Sequence, residues 1–238
     1  MKIAIIGYGK VGKAIERKAR ENNIVISRII KSISELEHST FNNEEIAIEF
    51  TRPSSCIANL YILAKKNVTT VCGTTGWYDD IKKVQAMYKK KTFLYGPNFS
   101  LGINIFLHTI TKVGSLINKF HEYDISIHES HHKAKQDYPS GTALKTANTL
   151  LKKINRKNKI VTNIQNNKQK ELLITHQRCD NVIGKHQITF NCAMDYMKIL
   201  HSNKDRMAYA IGAIHCAQWL KNKKGFYTFN DYFEEIIQ

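Results

Sequence analysis

The chain has 238 residues, enough for one large domain or two modest ones, and 42% hydrophobic content supplies a core. No apolar run approaches the ~18 residues of a membrane span, so no membrane partner is expected. The net charge of +16 raises a nucleic-acid or anionic partner; the lysines are dispersed without interleaved aromatics, so a solvated basic surface is expected instead and nucleic acid is not.

Five cysteines (Cys56, Cys72, Cys179, Cys192 and Cys216) show no Cys-x-x-Cys spacing, which points to reduced thiols and a cytoplasmic location. Met1 leads straight into an apolar run, so no signal peptide is expected. That run, residues 3–6, reads as a strand buried in a parallel sheet. Gly7-Tyr8-Gly9-Lys10-Val11-Gly12 follows at once, and Val11, Ala14, Ile15 and Ala19 then recur at helical spacing. This is G-x-G-x-x-G with a strand before and a helix after, the context of a dinucleotide site. Gly7 would make the turn, Gly9 would let a pyrophosphate reach the backbone, and Gly12 would let the helix pack closely.

A second strand is expected over 24–30. NAD sites commonly carry an acid here for the ribose 2′-hydroxyl, but the segment reads Ser27-Arg28-Ile29-Ile30-Lys31-Ser32, with no acid before Glu35. NADPH should therefore be accepted, with Lys31 or Arg28 near its 2′-phosphate, and NADH stays open. Further strands are expected over 45–50, 68–71 and 92–94, with helices over 54–66 and 79–90. The strands end in Thr51-Arg52-Pro53, Cys72-Gly73-Thr74-Thr75-Gly76-Trp77 and Gly96-Pro97-Asn98-Phe99-Ser100-Leu101-Gly102. This alternation argues an α/β fold with a Rossmann-type doubly wound parallel sheet, whose ligands sit at the carboxyl ends of the strands.

A long apolar helix is expected over 103–120 and a strand over 123–127. A polar segment from His128 to Ala143 follows, and a helix starts near Ser140 and runs to about 154. Residues 155–170, rich in Asn and Lys, read as loop and weak strand. Strands are expected over 172–177, 181–190 and 197–202, giving an inserted α+β region with a mixed or antiparallel sheet. Met207, Ala210, Ile211, Ile214 and Ala217 mark a final helix that closes near Gly225.

The polar segment packs His128, His131, His132, Lys133 and Lys135 ahead of Pro139-Ser140-Gly141-Thr142. Ser140 can cap the helix, leaving the N–H groups of Gly141 and Thr142 free for an anion, with the helix dipole behind them. His131, His132 and Lys135 add donors and titratable protons. The fitting ligand is a small carboxylate or phosphate; on spacing alone, an ordinary capped helix with solvated charges fits equally well. His128-Glu129-Ser130-His131-His132 also matches the zinc string H-E-x-x-H, but that chemistry needs a helix. Leaving a strand, residues four apart lie roughly 13 Å from each other, and no metal is expected.

The segments Glu49-Phe50-Thr51-Arg52-Pro53, Gly73-Thr74-Thr75-Gly76, Pro97-Asn98-Phe99-Ser100-Leu101-Gly102-Ile103-Asn104 and the block from Glu129 to Ala143 resemble the 4-hydroxy-tetrahydrodipicolinate reductase (dihydrodipicolinate reductase) family. The resemblance covers nearly the whole chain. It implies a dinucleotide-binding domain over 1–101 and 207–238 and a substrate-binding and oligomerisation domain over 102–206. It places cofactor contacts on Gly7, Tyr8, Gly9, Lys10, Val11 and Gly12, on Gly73, Thr74 and Thr75, and on Gly96, Pro97, Asn98 and Phe99. It puts substrate contacts on His132, Gly141 and Thr142, helped by Ser140, and proton handling on His131 and Lys135. The implied substrate is a cyclic dicarboxylate reduced by NADPH or NADH, and the implied assembly is a homotetramer. Tyr138 stands where the resemblance implies a small residue, so it either narrows the site or faces solvent. The nearest rival is another NAD(P) oxidoreductase of the same plan; a nucleic-acid binder that keeps an enzyme fold has charge as its only support.

Overall fold

The computed structural model describes residues 1–163, 169–180 and 182–238. Strands and helices alternate through β1 (Lys2–Ile6), α1 (Lys10–Glu21), β2 (Val25–Ile30), α2 (Ile33–His38), β3 (Glu45–Glu49), α3 (Pro53–Lys65), β4 (Thr69–Cys72), α4 (Ile81–Met87) and β5 (Phe93–Tyr95). Next come α5 (Leu101–Ile117), β6 (Asp124–His131), α6 (Gly141–Leu151), β7 (Lys159–Val161), β8 (Glu171–Arg178), β9 (Gly184–Asn191) and β10 (Tyr196–Asn203). The chain ends with α7 (Met207–Leu220), β11 (Phe226–Thr228) and α8 (Phe229–Ile237). It divides into two compact units, one of Met1–Leu101 with Arg206–Gln238 and one of Gly102–Asp205.

The first unit holds a six-stranded sheet in the order β11-β5-β4-β3-β1-β2, with every neighbouring pair parallel. β3 is buried at every position, as expected of a central strand covered on both faces. Ile3, Ile5, Ile15, Ile46 and Ile48 share one core cluster with the small face of α7. Burying each of these side chains contributes about 1.5–3 kcal/mol. The chain leaves β1 for β2 on one side and returns to β3 on the other, so the strand order reverses at β1. That is the switch point where such sheets bind ligands.

The second unit holds the mixed sheet β10-β9-β6-β8-β7. β6 runs antiparallel to β9 and parallel to β8. Side chains alternate across a strand, so Ile125, Ile127, Glu129 and His131 share one face of β6. Ile127 lies beside Ile174 of β8 and Ile188 of β9, in the core cluster shared with α5 and α6. The row below it is polar: Glu129 lies between His176 and His186. One step further, His131 pairs with Arg178 and faces Gly184.

The structure corrects several expected elements. β6 continues through His131 instead of ending at 127, because its inward positions stay buried after they turn from isoleucine to Glu129 and His131. α4 ends at Met87 and not near 90; beyond the buried Tyr88 lies a lysine run with no apolar face to bury. α6 stops at Leu151 and α7 at Leu220, both short of expectation. α2, β11 and α8 were not expected, although α8 carries a full capping box between Thr228 and Asp231. Of the weak strand expected over 155–170, β7 is present, and 164–168 lie outside the described residues, as does Asn181 at the start of the expected 181–190 strand. Among the described residues, no helix is long and apolar enough to cross a membrane.

Candidate active site

In the first unit, the ends of β1, β2 and β3 open onto a cavity of about 640 Å³. It is lined by Gly7, Tyr8 and Gly9 after β1, by Lys31 and Ser32 after β2, and by Thr51 and Arg52 after β3. Gly7 has φ +93 and lies so close to β3 that a Cβ would come 2.2 Å from the Phe50 carbonyl oxygen. A Cβ on Gly12 would come 2.2 Å from the Gly7 carbonyl oxygen, which fixes how closely α1 approaches the turn. Gly9 is different: a Cβ there would meet nothing within 4 Å, so its missing side chain leaves open space on the cavity side.

Helices α1 and α3 both start at this cavity, at Gly9 and Arg52, and neither has a side-chain cap. The first-turn N–H groups of α1 lack intrahelical partners; in α3, Pro53 has no N–H and the Ser55 N–H donates to the Arg52 carbonyl at 3.1 Å, which leaves that of Ser54, and both dipoles favour a negative charge there. This donor set fits a dinucleotide pyrophosphate. Lys10, Val11 and Gly12 do not line the cavity with side chains; they offer the first-turn N–H groups of α1.

Lys31 lines the cavity with its ammonium 5.3 Å from the centre of the Tyr8 ring. Its backbone N–H donates to the Glu35 carboxylate at 2.7 Å, and Glu35 does not line the cavity. Arg28, the other cation expected at a 2′-phosphate, is instead committed to Glu45 at 2.9 Å and lies over the Phe41 ring.

The remaining expected cofactor residues sit around the ends of β4 and β5. Gly73 is pressed against the Phe50 ring, where a Cβ would come within 2.0 Å. The Thr74 hydroxyl accepts the Thr51 N–H at 2.7 Å, which ties this loop to the cavity wall, while Thr75 and Pro97 are exposed. Asn98 accepts the Ser100 N–H through Oδ1 at 2.9 Å. Gly96 is tight against Phe229, and Phe99 is buried edge-on between Phe50 and Phe229. The Phe99 ring is therefore a packing group. Sequence reasoning placed no contact on Ser32, Thr51 or Arg52; their signal was their position at strand ends.

In the second unit, Ser140 caps α6: its Oγ accepts the Ala143 N–H at 3.1 Å. The N–H groups of Gly141 and Thr142 are left free of intrahelical partners. Gly141 is exposed, and a Cβ there would meet nothing within 4 Å. Behind this helix start lies the polar row of the sheet. The fully buried Glu129 carboxylate accepts the Ser140 N–H at 3.2 and 3.3 Å. His131 Nδ1 lies 3.5 Å from Glu129 Oε2 and His186 Nε2 lies 3.8 Å from it. His186 Nε2 also shares a 3.3 Å hydrogen bond with Ser140 Oγ.

Burial lowers the proton affinity of both imidazoles. His186 is pushed down to about 3. His131 is lowered by burial, against the raising effect of Glu129 and with the help of Lys135 and Arg178. Both rings are therefore neutral near pH 7. Lys135 donates to Asp137 at 2.7 Å, and this bond holds the Asp137 carboxyl below its usual range. Arg178 fixes the loop by donating to the carbonyls of Lys135 at 3.2 Å and Asp137 at 2.9 Å. The His132 carbonyl accepts the Lys135 N–H at 3.1 Å, and the His132 side chain is half-buried.

Tyr138 is half-buried and does not simply face solvent. Its hydroxyl donates to the Ile174 carbonyl at 2.6 Å and its ring lies 3.7 Å from that of His176, so it anchors the loop to β8. The H-E-x-x-H string is extended: His128 faces away from Glu129 and bonds the Thr175 hydroxyl at 2.8 Å. Glu129, His131 and His186 do offer ligand atoms within 4.8 Å of one another, as do Glu49, Cys56 and Cys72. In each group the carboxylate is already engaged, Glu129 with Ser140 and Glu49 with the Cys72 thiol at 3.3 Å. Glu129, His186 and Arg178 were given no role from sequence; the signal for Glu129 was a charged residue in the inward register of an apolar strand.

Residues 1–99 match the family model described as dihydrodipicolinate reductase, N-terminus, and residues 102–233 match that for its C-terminus. A 4-hydroxy-tetrahydrodipicolinate reductase of Christiangramia forsetii is 35% identical over the full length of both chains. That of Archaeoglobus fulgidus is 30% identical, covering 97% of this chain and 84% of its own. Among solved structures, a dipicolinate-bound dihydrodipicolinate reductase from Paenisporosarcina sp. TG-14 superposes with a TM-score of 0.72 at 21% identity, over 97% of this chain and 98% of that one. A probable dehydrogenase from Thermotoga maritima reaches 0.58 at 8% identity, covering 97% of this chain and 92% of its own, a likeness of fold alone.

Proposed function

Since the chain belongs to the dihydrodipicolinate reductase family, we propose that its two polar centres divide one reaction, the β1–β3 cavity taking the nicotinamide cofactor and the start of α6 taking the substrate. The reaction is the reduction of 4-hydroxy-tetrahydrodipicolinate to tetrahydrodipicolinate, in the diaminopimelate route to lysine. The chain is an oxidoreductase that uses a nicotinamide cofactor and acts on a small molecule.

The observation that carries the assignment of the substrate centre is the start of α6, capped by Ser140 and open at Gly141. One carboxylate of the substrate would accept the free N–H groups of Gly141 and Thr142. His132 and Lys135 would hold the ring. When bound, the cofactor supplies hydride. His131 or Lys135 would then deliver the proton that completes reduction. Lys135, held by Asp137 on a loop fixed by Arg178, would exchange that partner for the substrate.

NADPH is the proposed cofactor and NADH an accepted alternative. Lys31 faces the cavity, while Glu35 is turned to the Lys31 N–H. The pyrophosphate would lie on the starts of α1 and α3, beside Gly9. Thr75 and Asn98 would lie toward the nicotinamide. The exposed Tyr196 and Leu200 of β10 support assembly through the second sheet, with a homotetramer as the proposed state.

The test is cofactor oxidation with the substrate made in situ by the preceding synthase, run with NADPH and NADH in parallel. Synthase-dependent oxidation, faster with NADPH, is expected. Oxidation absent with both cofactors would overturn the proposed reaction. A tenfold preference for NADH would overturn the role given to Lys31.

A further inference from the structure

The inward face of β6 reads Ile125, Ile127, Glu129, His131. An apolar residue at 129 would continue the core ladder that Ile127 forms with Ile174 and Ile188. A fully buried carboxylate stands there instead. Burying a carboxylate is costly unless its oxygens are bonded, and a position that breaks a strand's own pattern marks function more than packing.

What surrounds Glu129 shows what it holds. Both of its oxygens accept the Ser140 N–H, the residue that caps α6. Oε2 is also 3.5 Å from His131 Nδ1, a buried nitrogen with no hydrogen bond among the described residues. The other ring nitrogen of His131, Nε2, faces Gly184, 3.3 Å from where a Cβ would sit. His186 closes the group from β9, between Glu129 Oε2 and Ser140 Oγ, with its ring 5.1 Å from that of His131.

We infer that Glu129 is the positioning residue of the second unit: one buried carboxylate orients the His131 ring through Nδ1 and anchors the start of α6 through Ser140, tying proton handling and anion binding into one piece. The inference rests on the reading that His131 and the α6 start serve the reaction. A carboxylate facing Nδ1 keeps the proton on that nitrogen and leaves Nε2 as the one that exchanges protons. The charged and titratable groups around His131 are Glu129 on its own strand, His186 from β9, Arg178 from β8, and Lys135 and Asp137 from the following loop. Glu129 and Asp137 raise its proton affinity, and Lys135 and Arg178 lower it.

The test uses the full chain with nitrogen-15 labelled histidine, read by NMR without need of turnover. In the unmutated protein at neutral pH, His131 should be the Nδ1–H tautomer. Finding the proton on Nε2 overturns the inference before any variant is made. In Glu129→Gln, the His131 titration midpoint should fall by about one pH unit or more, as removal of a close opposite charge requires. Its pH–rate profile should shift in the same direction, with kcat falling more than tenfold and the KM for NADPH unchanged. Glu129→Asp should recover part of kcat. An unchanged tautomer, midpoint and profile in Glu129→Gln would reduce Glu129 to a packing residue. His131→Gln separates the two claims: full turnover in that variant removes His131 from the reaction, whatever Glu129 does to its ring.

Discussion

Gly141→Ala separates a glycine kept for a ligand from one kept for the fold. Gly141 is the first residue of α6, its φ is not in the left-handed region, and a methyl there would meet nothing within 4 Å. The substitution should therefore leave folding intact. It should even stabilise slightly, since glycine is worth up to about 1 kcal/mol less than alanine within a helix. The same methyl would stand beside the Gly141 and Thr142 N–H groups, where the substrate carboxylate is proposed to bind. A lost hydrogen bond to a charged group costs about 1.5–3 kcal/mol, or roughly 10- to 150-fold in affinity. The assay is urea unfolding beside steady-state kinetics with synthase-generated substrate. The expected result is equal or higher stability, a KM for substrate raised at least tenfold, and cofactor affinity unchanged. An unchanged substrate KM in the folded variant would refute the placement of the carboxylate at this helix start.

Gly9→Val makes the same comparison in the first unit: the side chain enters open space, so the protein should fold and lose NADPH binding, measured by nicotinamide fluorescence. Retained tight binding would remove the glycine loop from the cofactor site. Lys135→Ala should lower turnover at least about a hundredfold, the usual scale for loss of a general acid, with cofactor affinity preserved; an unchanged rate takes Lys135 out of the mechanism. His186 makes stability depend on pH. Its folded pKa of about 3 lies below its ordinary 6.5, so the unfolded chain binds the proton first and stability falls as pH drops below 6.5. Between pH 7 and 5 the wild type should lose up to about 2 kcal/mol more than His186→Gln, read by urea unfolding at each pH; equal losses would contradict the buried neutral ring.

The parallel sheet was legible because its strands are short apolar runs ending in glycine or proline loops, and because G-x-G-x-x-G stands between a strand and a helix. The block from His131 to Thr142 stood out by composition alone. The end of β6 was hidden for the reason that makes it interesting: Glu129 and His131 keep the strand's alternation while abandoning its hydrophobicity, so a hydrophobic pattern stops at Ile127. His186 is brought to Glu129 by cross-strand register, which spacing along the chain does not encode. Arg28 looked available in sequence, but Glu45 from a neighbouring strand claims it. α8 is a different case: Thr228 and Asp231 are a capping pair readable from sequence at a helix start.

Everything proposed for the second unit requires that the start of α6 seat a dicarboxylate. The direct measurement is a titration of the full chain with dipicolinate, the ligand of the related Paenisporosarcina structure, in the presence of NADPH. It would follow the backbone amides of Gly141 and Thr142 and the ring nitrogens of His131 by NMR. Saturable shifts at those two amides, the largest in the spectrum of the second unit and absent in Gly141→Ala, are what the account predicts. Saturable binding that leaves both amides unmoved would contradict it.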